Sequence, residues 1–150
     1  MTENIVIDTM VFILTLVDGS KLNDEEKKQR PLVLKYMDGL EKGDYLVHLP
    51  RISVTEICGV ARWKGGEGPA IAVKNRLSQW VSMGLIKLYD LDEDRMWAAS
   101  DLAIKHNRSK NSSLSAPDAV LIGLAEELNT NLITFEKYFL SVSPKAEIPA

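Results

Sequence analysis

Short apolar runs rich in β-branched residues alternate along this chain with stretches of helical period, and no hairpin turn joins one run to the next. Asn4 to Ile7, Tyr45 to Leu49, Leu85 to Tyr89 and Asn131 to Thr134 read as strands. Between them, Met10 to Val17, a segment opened by Pro31, a segment from Ser53, Ile71 to Met83, Asp92 to His106 and Ser115 to Leu128 read as helices. Phe135 to Leu140 adds a short one. Strands linked through helices lie parallel, because a tight turn reverses the chain and a crossover does not. The expected fold class is α/β: a three-layer α/β/α sandwich around a mainly parallel sheet. That sheet has four strands, or five if the tail after Ser141 adds an edge strand.

Within the longer segments the details are as follows. Lys21 to Arg30 is a charged run lying before the helix, which Pro31 opens and Leu32, Val33, Tyr36, Met37 and Leu40 face inward. Gly65 to Pro69 and Asn107 to Ser113 read as loops. A length of 150 residues with no internal repeat and no composition break is expected to form a single domain over residues 1–150.

Composition excludes several classes of function. Eighteen basic against 21 acidic residues give a net charge of −3, so any nucleic-acid contact must be local rather than driven by net charge. One cysteine, Cys58, and two histidines, His48 and His106, supply neither a disulfide framework nor a zinc site. With no signal-like start and no apolar run near the roughly 18 residues that span a bilayer, a cytoplasmic protein with no membrane partner is expected. The chain lacks the glycine-rich phosphate loops of nucleotide-binding proteins.

Four acids stand apart from the solvated charge runs: Asp8, Glu56, Asp118 and Glu136 lie in mainly apolar company. Asp8 ends the first strand, Glu56 lies in the opening turn of a helix after the second, Asp118 opens an apolar helix, and Glu136 follows the fourth strand. In an open parallel sheet, carboxyl strand ends and the first turns of the following helices border one crevice. Carboxylates gathered there repel one another unless a cation neutralises them, and oxygen-only ligands suit Mg²⁺ or Mn²⁺. Such ions polarise phosphoryl oxygens and orient water, which points to phosphodiester hydrolysis. Singly, each acid has a plainer reading. Ser53-x-x-Glu56 and Ser115-x-x-Asp118 both fit a capping box, and Asp8 or Glu136 can cap the helix after its strand.

Four strings then carry a resemblance across nearly the whole chain: Ile5-Val6-Ile7-Asp8-Thr9, Ser53-Val54-Thr55-Glu56-Ile57, Pro117-Asp118-Ala119 with Leu121 to Ala125, and Leu132-Ile133-Thr134-Phe135-Glu136. In order and spacing they resemble the PIN-domain ribonucleases, and in size the chain is similar to VapC-type toxins and related small prokaryotic PIN proteins. The resemblance implies a Mg²⁺- or Mn²⁺-dependent endoribonuclease, a homodimer and, for toxin-type members, an antitoxin protein that blocks the pocket. Asp8, Glu56 and Asp118 fall on the family's three main acids, and Glu136 on the fourth. Asp8 and Asp118 are then expected as direct metal ligands, with Glu56 and Glu136 binding directly or through water. Thr134 is expected either to orient a ligand or to cap a helix.

Arg51 and Arg62 flank Glu56 in sequence, and Lys105 and Arg108 lie in a basic cluster before Asp118; these are the candidate RNA-phosphate contacts, against the alternative of solvated surface. His106 reads as a surface residue. Trp63, Trp80 and Trp97 belong either to the core or to a dimer interface. Two positions depart from the family pattern: Met10 stands where Asn or Ser is usual, and Glu136 where Asp is usual. They motivate a second reading, a PIN fold without turnover that serves as an RNA-binding or protein-interaction module.

Overall fold

The computed structural model describes residues 2–150 and places five strands in one sheet, in the order β3-β2-β1-β6-β7. These are β1 (Glu3–Ile7), β2 (Tyr45–Pro50), β3 (Ile86–Tyr89), β6 (Asn131–Ile133) and β7 (Ala146–Glu147), and every pairing is parallel. Strand β1 is central. Ile5 stands opposite Val47 on one side and Asn131 on the other, and Ile5, Val6 and Ile7 are all buried. Side chains alternate between faces along a strand, so this burial requires cover on both.

Helices supply that cover. On one side α1 (Thr9–Leu16) packs on α2 (Asp24–Lys42) and on α3 (Arg51–Gly65), which packs on α4 (Glu67–Ser82). A second pair, α5 (Glu93–Lys105) and α6 (Ala116–Leu128), pack on each other, with α6 against β1 and β2. Helix α7 (Phe139–Val142) links β6 to the edge strand β7. Among the described residues, no helix is long and apolar enough to cross a membrane.

Five local expectations are corrected. Helix α2 begins at Asp24 rather than at Pro31, which lies inside it. The reason is a capping box: Asn23 accepts from the Glu26 backbone N–H at 2.8 Å, and Glu26 accepts from the Asn23 N–H at 2.9 Å. This anchors the helix seven residues ahead of the proline. Helix α3 begins at Arg51, because Pro50 supplies an extended cap residue, so Ser53 sits buried in the first turn and caps nothing. Gly65 to Pro69 is no loop. Gly66 alone, at φ 94° and ψ 178°, turns the chain between α3 and α4, a conformation that only glycine adopts readily. Asn107 to Ser113 forms a small antiparallel hairpin of β4 (Asn107–Ser109) and β5 (Ser112–Ser113), apart from the main sheet. The short helix expected over 135–140 is displaced to Phe139–Val142.

The tryptophans divide. Trp80 is core at 2% exposure, whereas Trp63 and Trp97 are 81% and 58% exposed.

Glu26 also ties α2 to α3: Lys64 Nζ lies 2.8 Å from Oε1 and 2.7 Å from Oε2, with both side chains nearly buried. Burial pushes the Glu26 carboxyl up. The Lys64 hydrogen bond, the Asn23 N–H and the Lys64 charge together outweigh it and leave the group below its usual value. Removing one partner of a buried pair strands the other charge. Lys64→Met is therefore expected to cost about 3 kcal/mol in urea unfolding at neutral pH. A depressed acid contributes stability above its unfolded pKa and loses it as pH falls through the folded one, so the gap to wild type should shrink in acid.

Candidate active site at the carboxyl edge of the sheet

From β1 the chain builds outward to β2 and β3, then returns to the other side of β1 with β6, so the strand order reverses between β1 and β6. The residues that leave these two strands are Asp8 and Thr134, and they meet: Thr134 Oγ1 donates to Asp8 Oδ2 at 2.8 Å, with both residues buried. Crevices at such reversals are where open parallel sheets bind ligands.

A cavity of about 230 Å³ opens at this point. Its wall includes all four sequence-selected acids, Asp8, Glu56, Asp118 and Glu136, together with Thr9, Tyr138 and Arg108. Different elements deliver the acids. Asp8 caps α1, accepting from the Thr9 N–H at 2.8 Å. Glu56 projects from α3 and accepts a hydrogen bond from the Thr9 hydroxyl. Asp118 lies in the first turn of α6, where Ser115 Oγ accepts from its N–H at 3.3 Å, while its own carboxylate is bonded by the Tyr138 hydroxyl. Glu136 follows Thr134, whose Oγ1 accepts from the Glu136 N–H at 3.0 Å.

These contacts decide between the capping readings. Asp8 does cap its helix. Glu56 does not, since Ser53 is not a cap residue and the Glu56 carboxylate faces α1 instead. The Ser115–Asp118 box is half formed: the serine caps, and the acid turns to Tyr138. Thr134 Oγ1 both donates to Asp8 and accepts from the Glu136 N–H, with no helix beginning there.

Asp8 is 6% exposed. Burial drives its carboxyl upward, the Thr134 hydrogen bond lowers it, the Asp118 charge raises it, the Thr9 N–H lowers it, and Glu136 raises it again; the result is pushed up to about 7. Among the described residues, Arg108 is the only basic side chain on the cavity wall.

The donor set suits a hard divalent ion, being all oxygen with a buried carboxylate short of positive charge. Its present arrangement is looser than a finished ligand shell. Among the described residues, no three acidic, histidine or cysteine side chains stand close enough to hold one ion as they are placed. Thr9 and Tyr138 engage two of the four carboxylates.

The basic candidates separate clearly. Arg108, carried by β4, lines the cavity, and its guanidinium lies 5.6 Å from the centre of the Tyr138 ring. Arg51 is bound at 2.5 Å to Asp90 on the exposed surface, and neither Arg62 nor Lys105 lines the cavity. His106, half-buried at the end of α5, stands outside it too. The residue sequence reasoning missed is Tyr138. It was expected within a short helix, and only the correct end of β6 and start of α7 turn it toward Asp118. A larger cleft of about 430 Å³ lies between α5, α6 and the end of β3, but its Arg95 is already tied to Glu127 and Asp92.

The Asp8 environment has a measurable consequence. A folded-state value near 7, against 3.8 for the free group, means that ionising Asp8 costs stability progressively as pH rises between them. In EDTA, Asp8→Asn is expected to exceed wild type by about 3 kcal/mol at pH 8, after allowance of about 1 kcal/mol for the one of the two hydrogen bonds accepted by Asp8 that a single amide oxygen does not replace. The difference should close toward pH 4. Urea unfolding of both proteins across that range checks it.

Comparison with known proteins follows the same lines. The sequence matches the PIN domain family over residues 5–144. No curated protein matches it in sequence. Among solved structures, VapC20 of Mycobacterium tuberculosis, a sarcin-ricin loop cleaving toxin, is similar at TM-score 0.62 and 13% identity, covering 91% of this chain and 94% of the other. A chain of VapBC2 from Rickettsia felis, bound to a DNA fragment from their promoter, is similar at 0.60 and 11%, covering 98% and 99%. A chain of FitAB bound to an IR36 DNA fragment gives 0.58 and 18%, covering 97% and 94%. At these identities the three structures speak for the fold. With the sequence match spanning most of its length, the chain belongs to the PIN-domain family.

Proposed function

We propose that this chain is a single PIN domain acting as a divalent-metal-dependent endoribonuclease, the toxin of a toxin–antitoxin pair. One observation carries the reading: Asp8, Glu56, Asp118 and Glu136, delivered by separate elements, border one cavity where the strand order reverses, with Arg108 on the same wall.

Asp8 and Asp118 would hold Mg²⁺ or Mn²⁺ directly, and Glu56 and Glu136 directly or through water. Bound there, the ion supplies polarisation of a phosphoryl oxygen and activation of water. The chain's own groups do the rest. Thr134 fixes the Asp8 carboxylate, and Thr9 fixes that of Glu56. Arg108 reaches the cavity with a guanidinium suited to an RNA phosphate. Arg51, Arg62 and Lys105 do not line the cavity and would contact flanking backbone instead.

Likeness to VapBC2 and FitAB supports an antitoxin partner. The proposal includes a homodimer, for which exposed Trp63 and Trp97 offer aromatic anchors. The proposed setting is cytoplasmic.

A second reading, a binding module without turnover, draws on Met10 in the cavity wall and on the absence of three converged acids among the described residues. Cleavage decides between them. Because one structural neighbour is a sarcin-ricin loop cleaving toxin, a sarcin–ricin stem-loop and total RNA are the first substrates. Cutting should appear with Mn²⁺ or Mg²⁺ and vanish in EDTA. Asp8→Asn and Asp118→Asn should each lower it by roughly 100-fold or more, since loss of an outer-shell partner alone costs about 10–100-fold. RNA bound but uncut in either metal would favour the module, and equal cutting by the variants would overturn the assignment of these acids.

A further inference from the structure

Three chain segments meet at Tyr138. Its hydroxyl donates to Asp118 Oδ2 at the start of α6, the face of its ring carries the Arg108 guanidinium of β4 at 5.6 Å, and Phe139 fixes the ring edge-on, centroids 4.9 Å apart at 79°. Phe139 is fully buried, so the ring is anchored to the core. Among the cavity-lining side chains described, Arg108 is the only basic one, and Tyr138 touches both it and an acid.

We propose that Tyr138 is the positioning residue of this cavity, its hydroxyl orienting Asp118 for a divalent ion and its ring holding Arg108 toward the RNA phosphate. This rests on the metal-dependent nuclease reading. The hydroxyl engages one carboxylate oxygen, and among the described residues the other, Oδ1, has no hydrogen-bond donor and stays open to a cation. A carboxylate held at one oxygen loses less freedom on ligating with the other, which is how outer-shell donors raise metal affinity. Arg108 stands on an exposed hairpin, where a free side chain would sample many rotamers; stacking on an anchored ring lowers that freedom before RNA arrives.

The two parts use different atoms and come apart by substitution. Tyr138→Phe deletes the hydroxyl and keeps the ring, whereas Tyr138→Leu deletes both. Calorimetric titration with MnCl₂ should give about tenfold weaker binding for Tyr138→Phe than for wild type. Binding of a labelled single-stranded oligouridylate in EDTA, read by anisotropy, should be unchanged in Tyr138→Phe and weakened in Tyr138→Leu. Arg108→Ala should reproduce the RNA loss with Mn²⁺ binding intact, which keeps the test decisive if the leucine variant does not fold.

A merely structural Tyr138, fastening α7 to α6, would lower the melting temperature and leave Mn²⁺ affinity of the folded protein alone. Equal Mn²⁺ affinity in wild type and Tyr138→Phe would thus overturn the positioning role while the nuclease reading stands. RNA binding unaffected by Tyr138→Leu would remove the ring from it. If the wild type takes up no Mn²⁺, the metal reading falls and this one with it.

Discussion

A carboxylate buried at the middle of the sheet sets the terms for the rest of the structure. Asp8 ends the central strand, and an ionised group there would be untenable without the Thr134 hydroxyl and the Thr9 N–H to receive its lone pairs. The Thr9 N–H comes from the start of α1, whereas the Thr134 hydroxyl depends on the parallel pairing of β1 with β6, which puts Ile7 beside Ile133 and so brings the two strand exits together. Even with them the group titrates near neutrality rather than near 4. A fold that retains such a residue carries a local instability, and the apolar helices and strands around it offset that.

The offset comes from cover on both faces. Phe12, Ile13 and Leu14 in α1, Ile57 in α3 and Ile122 in α6 are among the fully buried side chains, and the helices that carry them also deliver Thr9, Glu56 and Asp118. Each helix thus seats itself by one set of residues and presents a polar group at its first turns with another. The cavity's geometry is therefore a by-product of core packing. This explains why its acids come from distant parts of the chain while their placement follows strand order.

Much of this was legible in the amino-acid pattern because the governing signals are local. Asp after Ile5-Val6-Ile7, and Asp118 after Ser115 and Pro117, announce a strand end and a helix start, and parallel topology then places both at one edge. The failures arose where a competing signal, local or tertiary, overrode the one that stood out in the sequence. Pro31 is tolerated inside α2 because Asn23, Glu26 and Lys64 anchor the turns before it. Ser53 looked like a cap until Pro50 began the helix ahead of it. The polar residues from Asn107 to Ser113 show no alternation that would mark strands, and their hairpin is brief and exposed. Tyr138 was the least visible. Nothing near it in sequence hints at Asp118, 20 residues earlier, or at Arg108 beyond.

The partnership of Asp8 with Thr134 also has a consequence in time. The two residues lie 126 positions apart, so a ribosome working at roughly 5–20 residues per second makes the second about ten seconds after the first. Throughout that interval the growing chain holds Asp8 and, once residue 56 has been added, Glu56, without the strand that closes the cavity. Whatever the cavity does, it cannot begin until synthesis is almost over, and a chain released early lacks it altogether. Strand order thus sets a delay between the making of Asp8 and the closing of the cavity around it.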